Sequence, residues 1–64
     1  MRGIVVTDPG SGVNIRKFPS TSAAIIGYAP DGAEVRIYGK YNNWYVVEYN
    51  GVTGYSSSMY VVMG

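Results

Sequence analysis

Asn43-Trp44-Tyr45-Val46-Val47-Glu48-Tyr49-Asn50-Gly51-Val52-Thr53-Gly54-Tyr55 decides how this chain is read. Asn50-Gly51 is the pair that a two-residue type I′ turn demands, because both central positions need positive φ. β-branched and aromatic residues flank it on both sides, as a pleated surface prefers. The segment therefore reads as a hairpin that pairs 44–49 with 52–56 antiparallel. Tyr45, Val47 and Tyr49 share one face of its first strand; Trp44, Val46 and Glu48 share the other. Both faces carry apolar groups, which fits a central strand or one that crosses between two sheets.

The same grammar extends outward. Pro9-Gly10, Gly12, Pro19, Gly27, Pro30-Asp31-Gly32, Gly39 and Gly54 interrupt any helical pattern before it reaches three turns. Val13 and Ile15 alternate with Asn14 and Arg16, and Val35 and Ile37 alternate with Glu34, Arg36 and Tyr38. Alternation of this kind buries one face of a strand and wets the other. Pro30-Asp31-Gly32 reads as a turn. The spacing predicts strands near 4–7, 13–16, 24–29, 34–41, 44–50, 52–56 and 60–63, with a 3₁₀ turn at Ser56-Ser57-Ser58-Met59. The fold class is all-β: a small barrel of five to seven short antiparallel strands. Residues 1–64 form a single domain.

Composition narrows the function. The chain has no histidine and no cysteine. A cysteine-histidine or serine-histidine-aspartate nucleophile system cannot be assembled, nor can a zinc site with its usual ligands. Asp8, Asp31, Glu34 and Glu48 are the only carboxylate side chains; Asp31 falls in a predicted turn, and Glu34 and Glu48 on solvent-type strand positions. A glycosidase pair flanking a cleft is not expected from them. Gly10-Ser11-Gly12 lacks the lysine and helix of a phosphate loop. The expectation is a non-enzyme that needs no cofactor and no metal. Net charge is +1, too little for electrostatic capture of nucleic acid or an anionic membrane. Met1-Arg2-Gly3-Ile4-Val5-Val6 is too short in its apolar run for a signal peptide. The chain reads as an isolated or excised domain, any export signal lying outside it.

The order of short motifs resembles the bacterial SH3-like domain over roughly residues 4–62. Val13-Asn14-Ile15-Arg16 is similar to that family's leucine-asparagine-valine-arginine, and Pro19-Ser20-Thr21 to the end of its serine-glycine-proline-serine. Ile25-Ile26-Gly27, Asn43-Trp44, the 47–55 hairpin and Ser57-Ser58-Met59-Tyr60-Val61 follow in the family's order. Three departures stand out. Lys17-Phe18 replaces serine-glycine; Asn43 replaces a glycine, with asparagine also tolerating positive φ; Tyr55-Ser56 replaces tryptophan-valine. The resemblance implies an SH3-like barrel used as a non-catalytic binding module at the bacterial cell wall or outside the cell. It also implies a peptidoglycan stem or cross-bridge peptide as partner, and an attached catalytic domain. A structural role, packing on such a domain or mediating oligomerisation, is the other reading.

Seven tyrosines, Trp44 and Phe18 exceed what so small a barrel needs inside. About half are expected in the core, Tyr45 or Tyr49 among them. The rest present large amphipathic rings at low entropic cost, which suits recognition of an extended chain. Expected ligand-binding residues are Arg16, Phe18, Tyr38, Tyr41, Trp44 and Tyr55. Phe18 reads either as a plug at one end of the barrel or as a groove wall, and Trp44 as half-buried core or groove floor. Arg16 either holds its own loop through carbonyls or meets a ligand carboxylate. Asn14 is expected to bond within its loop, and Tyr60 to pack in the core.

Overall fold

Seven strands carry the chain in the computed structural model, which describes residues 1–64. They are β1 (Arg2–Val5), β2 (Gly12–Arg16), β3 (Ile25–Pro30), β4 (Glu34–Tyr41), β5 (Trp44–Tyr49), β6 (Val52–Ser57) and β7 (Val61–Met63). A 3₁₀ turn, Ser58–Tyr60, joins the last two. The hairpin forms as its residues demand: φ is +53° at Asn50 and +84° at Gly51, and β5 pairs β6 from Trp44↔Ser57 to Tyr49↔Val52.

All strands belong to one antiparallel sheet of order β3-β2-β6-β5-β4-β1-β7. Laid flat, seven strands would span about 29 Å at ~4.8 Å per strand and be one layer thick. The molecule instead measures 24 × 23 × 22 Å, so the sheet curls onto itself as an SH3-like barrel. Its inner face buries Val5, Val13, Ile15, Ala29, Val35, Ile37, Tyr45, Val47 and Val61. These are the alternating positions of β2, β4 and β5, joined by one residue each from β1, β3 and β7. Gly54 lets β6 cross close to β2. A Cβ there would stand 2.6 Å from the Arg16 carbonyl oxygen and 2.7 Å from Ile15 Cγ2. Ser56 is fully buried beside it, and its Oγ donates to the Asn14 carbonyl at 2.9 Å. That bond crosses between strands 42 residues apart in sequence and leaves no buried side-chain polar atom unpartnered.

Several expectations need correction. β1 runs Arg2–Val5, not 4–7. Beyond Val5 the ladder ends because Val6 N donates to the Tyr60 carbonyl and Thr7 N to Asp31 Oδ1, at 2.8 Å each. The 3₁₀ turn starts two residues late, since Ser56 and Ser57 are still paired to Tyr45 and Trp44. Ser57 then caps it, its Oγ accepting from Met59 N. In the β4–β5 turn the positive φ sits on Asn42, not Asn43. The core also holds fewer rings than expected. Tyr45 alone is buried; Trp44, Tyr49 and Tyr55 are half-buried, and Phe18, Tyr28, Tyr38, Tyr41 and Tyr60 are exposed. Small β-branched side chains fill so tight a barrel, leaving the rings to its outside.

Candidate functional site

Cross-strand register decides which side chains meet on the outer face. Directly paired residues of an antiparallel sheet project to the same side. Arg16 pairs Tyr55, which pairs Val46; Tyr41 pairs Trp44, which pairs Ser57. Arg16, Tyr41, Trp44 and Tyr55 therefore share the outer face of β2, β6, β5 and β4, opposite the core residues Ile15 and Val47.

At one margin of this face lies a groove of about 300 Å³. Asn14 and Arg16 of β2 form one side, with Thr21 from the following loop. Trp44 and Ser57 form the other, continued by Met59 and Tyr60 of the 3₁₀ turn. The walls have physical causes. Arg16 Nη1 donates to the Ala23 carbonyl at 3.0 Å, and Lys17 N to the Ala24 carbonyl at 2.9 Å. These bonds hold the 17–24 loop, and Thr21 with it, against β2. On the far side the Ser57 cap and the bond from Ser58 N to the Asn43 carbonyl fix the 3₁₀ turn on the start of β5. The groove is thus lined by a half-buried indole, an exposed phenol, a thioether, a guanidinium and short polar groups. That set suits an extended chain: rings to lie on peptide planes, donors and acceptors for its amides.

The structure separates the six expected binding residues. Arg16 and Trp44 line the groove. Tyr55 and Tyr41 neighbour them on the same face without lining it. Phe18 stands apart; it is 58% exposed, with Lys17 Nζ 5.8 Å from its ring centre, and it does not plug the barrel. Tyr38 also stands apart. It is the extra residue where the register shifts between Ile37 and Gly39, and its hydroxyl donates to Glu48 Oε1 at 2.7 Å. Glu48 lies four residues along β5 from Trp44, about 13 Å at ~3.3 Å per residue.

Sequence reasoning missed Thr21, Ser57 and Met59, and it misplaced two others. Tyr60 is 44% exposed and walls the groove instead of packing inside. Val61 is the residue that turns inward there, so strand alternation back from Val61 was the available signal. The Asn14 side chain makes no bond within its loop and faces the groove; its backbone carbonyl is the group engaged, by Ser56.

The remaining surface offers less. A depression between β1, β4 and β5 is charged, with Arg2 and Glu34 paired at 3.6 Å. No three acidic side chains converge as metal ligands would. No helix is long and apolar enough to cross a membrane.

Comparison with known proteins adds to this geometry. The family profile described as bacterial SH3 domain matches residues 11–62. The chain is 34% identical over 61 residues to YrvJ of Bacillus subtilis (strain 168), a protein named for an inferred N-acetylmuramoyl-L-alanine amidase activity. The alignment covers 95% of this chain and 11% of YrvJ. Among solved structures, NlpC2 from Trichomonas vaginalis superposes with a TM-score of 0.86 at 25% identity, over all of this chain and 23% of that one. The chain thus spans a small part of each relative.

Proposed function

This chain belongs to the bacterial SH3 domain family, and from that premise we propose that it is a non-catalytic module that holds a larger protein at the bacterial cell wall by gripping a peptide of peptidoglycan. The observation that carries the reading is the groove. It combines Trp44 and Tyr60 as rings with Arg16, Asn14 and Thr21 as polar partners, on a chain without histidine or cysteine. YrvJ supports the setting, since its name specifies an amidase of an N-acetylmuramoyl-L-alanine linkage, a sugar joined to an amino acid. The ligand lies extended between β2 and the 3₁₀ turn, its backbone bonded to Asn14, Thr21 and Ser57 and its peptide planes against Trp44. A groove this shallow gives millimolar to micromolar affinity, about −4 to −8 kcal/mol. Retention on the wall comes from linkage to a second module or a catalytic domain, through effective concentration. Location outside the cell or in the wall follows from the same reading.

The test is a titration of the domain with muropeptides, followed by backbone NMR shifts. Saturable shifts at Trp44, Asn14 and Tyr60 are expected. Unchanged resonances there at millimolar ligand would refute the groove. A second reading, packing on a partner domain, draws on the exposed Ile25, Ile26 and Tyr28 of β3, an edge strand without a charged residue. Sedimentation with intact cell walls separates the two: the wall-binding module pellets, and a domain used only for internal packing stays in solution.

A further inference from the structure

The groove does not end at Tyr60. A second depression, lined by Val6, Thr7, Asp8 and Ser11, shares Gly12, Met59 and Tyr60 with it. The two adjoin at those three residues; taken as one trough, they run along β2 and past the 3₁₀ turn. Its ends differ in charge. Arg16 stands at the first end, with Lys17 next in the chain. Asp8 stands at the other, where the Asp31 carboxylate also sits, bonded to Thr7 N.

Both terminal groups retain binding capacity. The Asp8 carboxylate makes no hydrogen bond or ion pair; only its backbone carbonyl is engaged, by Ser11 N and Thr7 Oγ1. Arg16 spends Nη1 on the Ala23 carbonyl, and a guanidinium has five N–H donors. Gly12 to Arg16 along β2 is four residues, about 13 Å at ~3.3 Å per residue, and the Asp8–Ser11 turn lies just beyond. An extended peptide of five or six residues covers that distance. Opposite charges at the two ends fix the direction in which a dipolar chain lies, because the reversed pose sets like against like.

We propose that the trough binds its peptide in one direction only, with an ammonium group of the ligand at Asp8 and a carboxylate at Arg16. The ligand class is therefore a short extended peptide with a free amine toward one end and a free carboxyl toward the other. This rests on the peptide-binding reading above and adds polarity to it.

The probe is the pool of stem peptides released from cell wall by amidase digestion, used untreated, amine-acetylated or carboxyl-amidated. Binding is read from Trp44 fluorescence and from NMR shifts. For the unchanged domain, each modification weakens affinity about two- to five-fold, the range of a solvent-exposed ion pair. Acetylation abolishes shifts at Thr7, Asp8 and Ser11 and preserves those at Trp44; amidation does the converse at Arg16. Asp8→Asn becomes insensitive to acetylation while still sensing amidation. Arg16→Gln becomes insensitive to amidation, and Arg16→Lys, which keeps the charge, does not. Equal sensitivity in the unchanged domain and both variants overturns the proposal, as does a pairing of acetylation with Arg16. No binding by any of the three pools overturns the peptide groove itself, a separate result from binding without direction.

Discussion

Two residues show how a single atom carries weight in a barrel this small. Ser56 is fully buried and donates to the Asn14 carbonyl, tying β6 to β2 from within. Ser56→Ala removes the donor and leaves a buried acceptor less satisfied, which costs about 1–2 kcal/mol. In urea titration the midpoint falls and the slope stays the same. An unchanged midpoint would mean that water reaches the Asn14 carbonyl. Trp44 is the opposite case, a ring held half-exposed by its place on the outer face of β5. Trp44→Ala is expected to weaken muropeptide binding about ten-fold or more, the scale of a central aromatic anchor. The far-ultraviolet spectrum stays that of the parent. Tyr38→Phe is the control: it loses only the bond to Glu48, and binding is unaffected.

At the scale of elements, what sequence makes legible is local. Asn50-Gly51 specifies its hairpin because the two φ values are a property of those residues alone. Alternation in 13–16 and 34–37 marks the buried positions because the pleat has a period of two. Which strands become neighbours is a non-local matter. Nothing in Arg16 or Tyr55 taken singly announces that β2 pairs β6, so Arg16 and Trp44 were legible as groove residues while Thr21, Ser57 and Met59 beside them were not. Gly54 is where the two scales meet, its missing side chain permitting the crossing. Gly54→Ala forces a Cβ against the Arg16 carbonyl and Ile15, both fixed, and should destabilise by about 1–3 kcal/mol. Gly39→Ala meets no atom within 4 Å and should change the unfolding midpoint little. Gly51→Ala lies between: space is open, but φ of +84° penalises any Cβ by about 1 kcal/mol. Thermal melts that fail to give the order Gly39, Gly51, Gly54 would place the strain elsewhere.

For the whole molecule, the distribution of charge matters more than its sum. A net charge of +1 on a body about 23 Å across makes a weak field at distance, yet the trough has basic and acidic ends. A protein that held a polyanion would lose orders of magnitude in affinity between low and moderate salt, because bound counterions are released. A peptide bound as proposed displaces few counterions, and only its two contacts at the trough ends are screened once the Debye length falls below about 10 Å. On that reading most of the binding free energy comes instead from ring contacts and amide hydrogen bonds, which salt leaves intact. Raising sodium chloride from about 50 to about 500 mM should therefore weaken muropeptide binding by no more than about 25-fold, the upper limit for two ion pairs at about five-fold each. Single-stranded oligonucleotides should show no saturable binding at either concentration. Fluorescence titration of Trp44 at both salt concentrations checks this. A hundred-fold loss would mean that the basic residues outside the groove, Arg2, Arg36 and Lys40, meet an anionic polymer, and that the wall is recognised through its charge, not through a peptide held between β2 and the 3₁₀ turn.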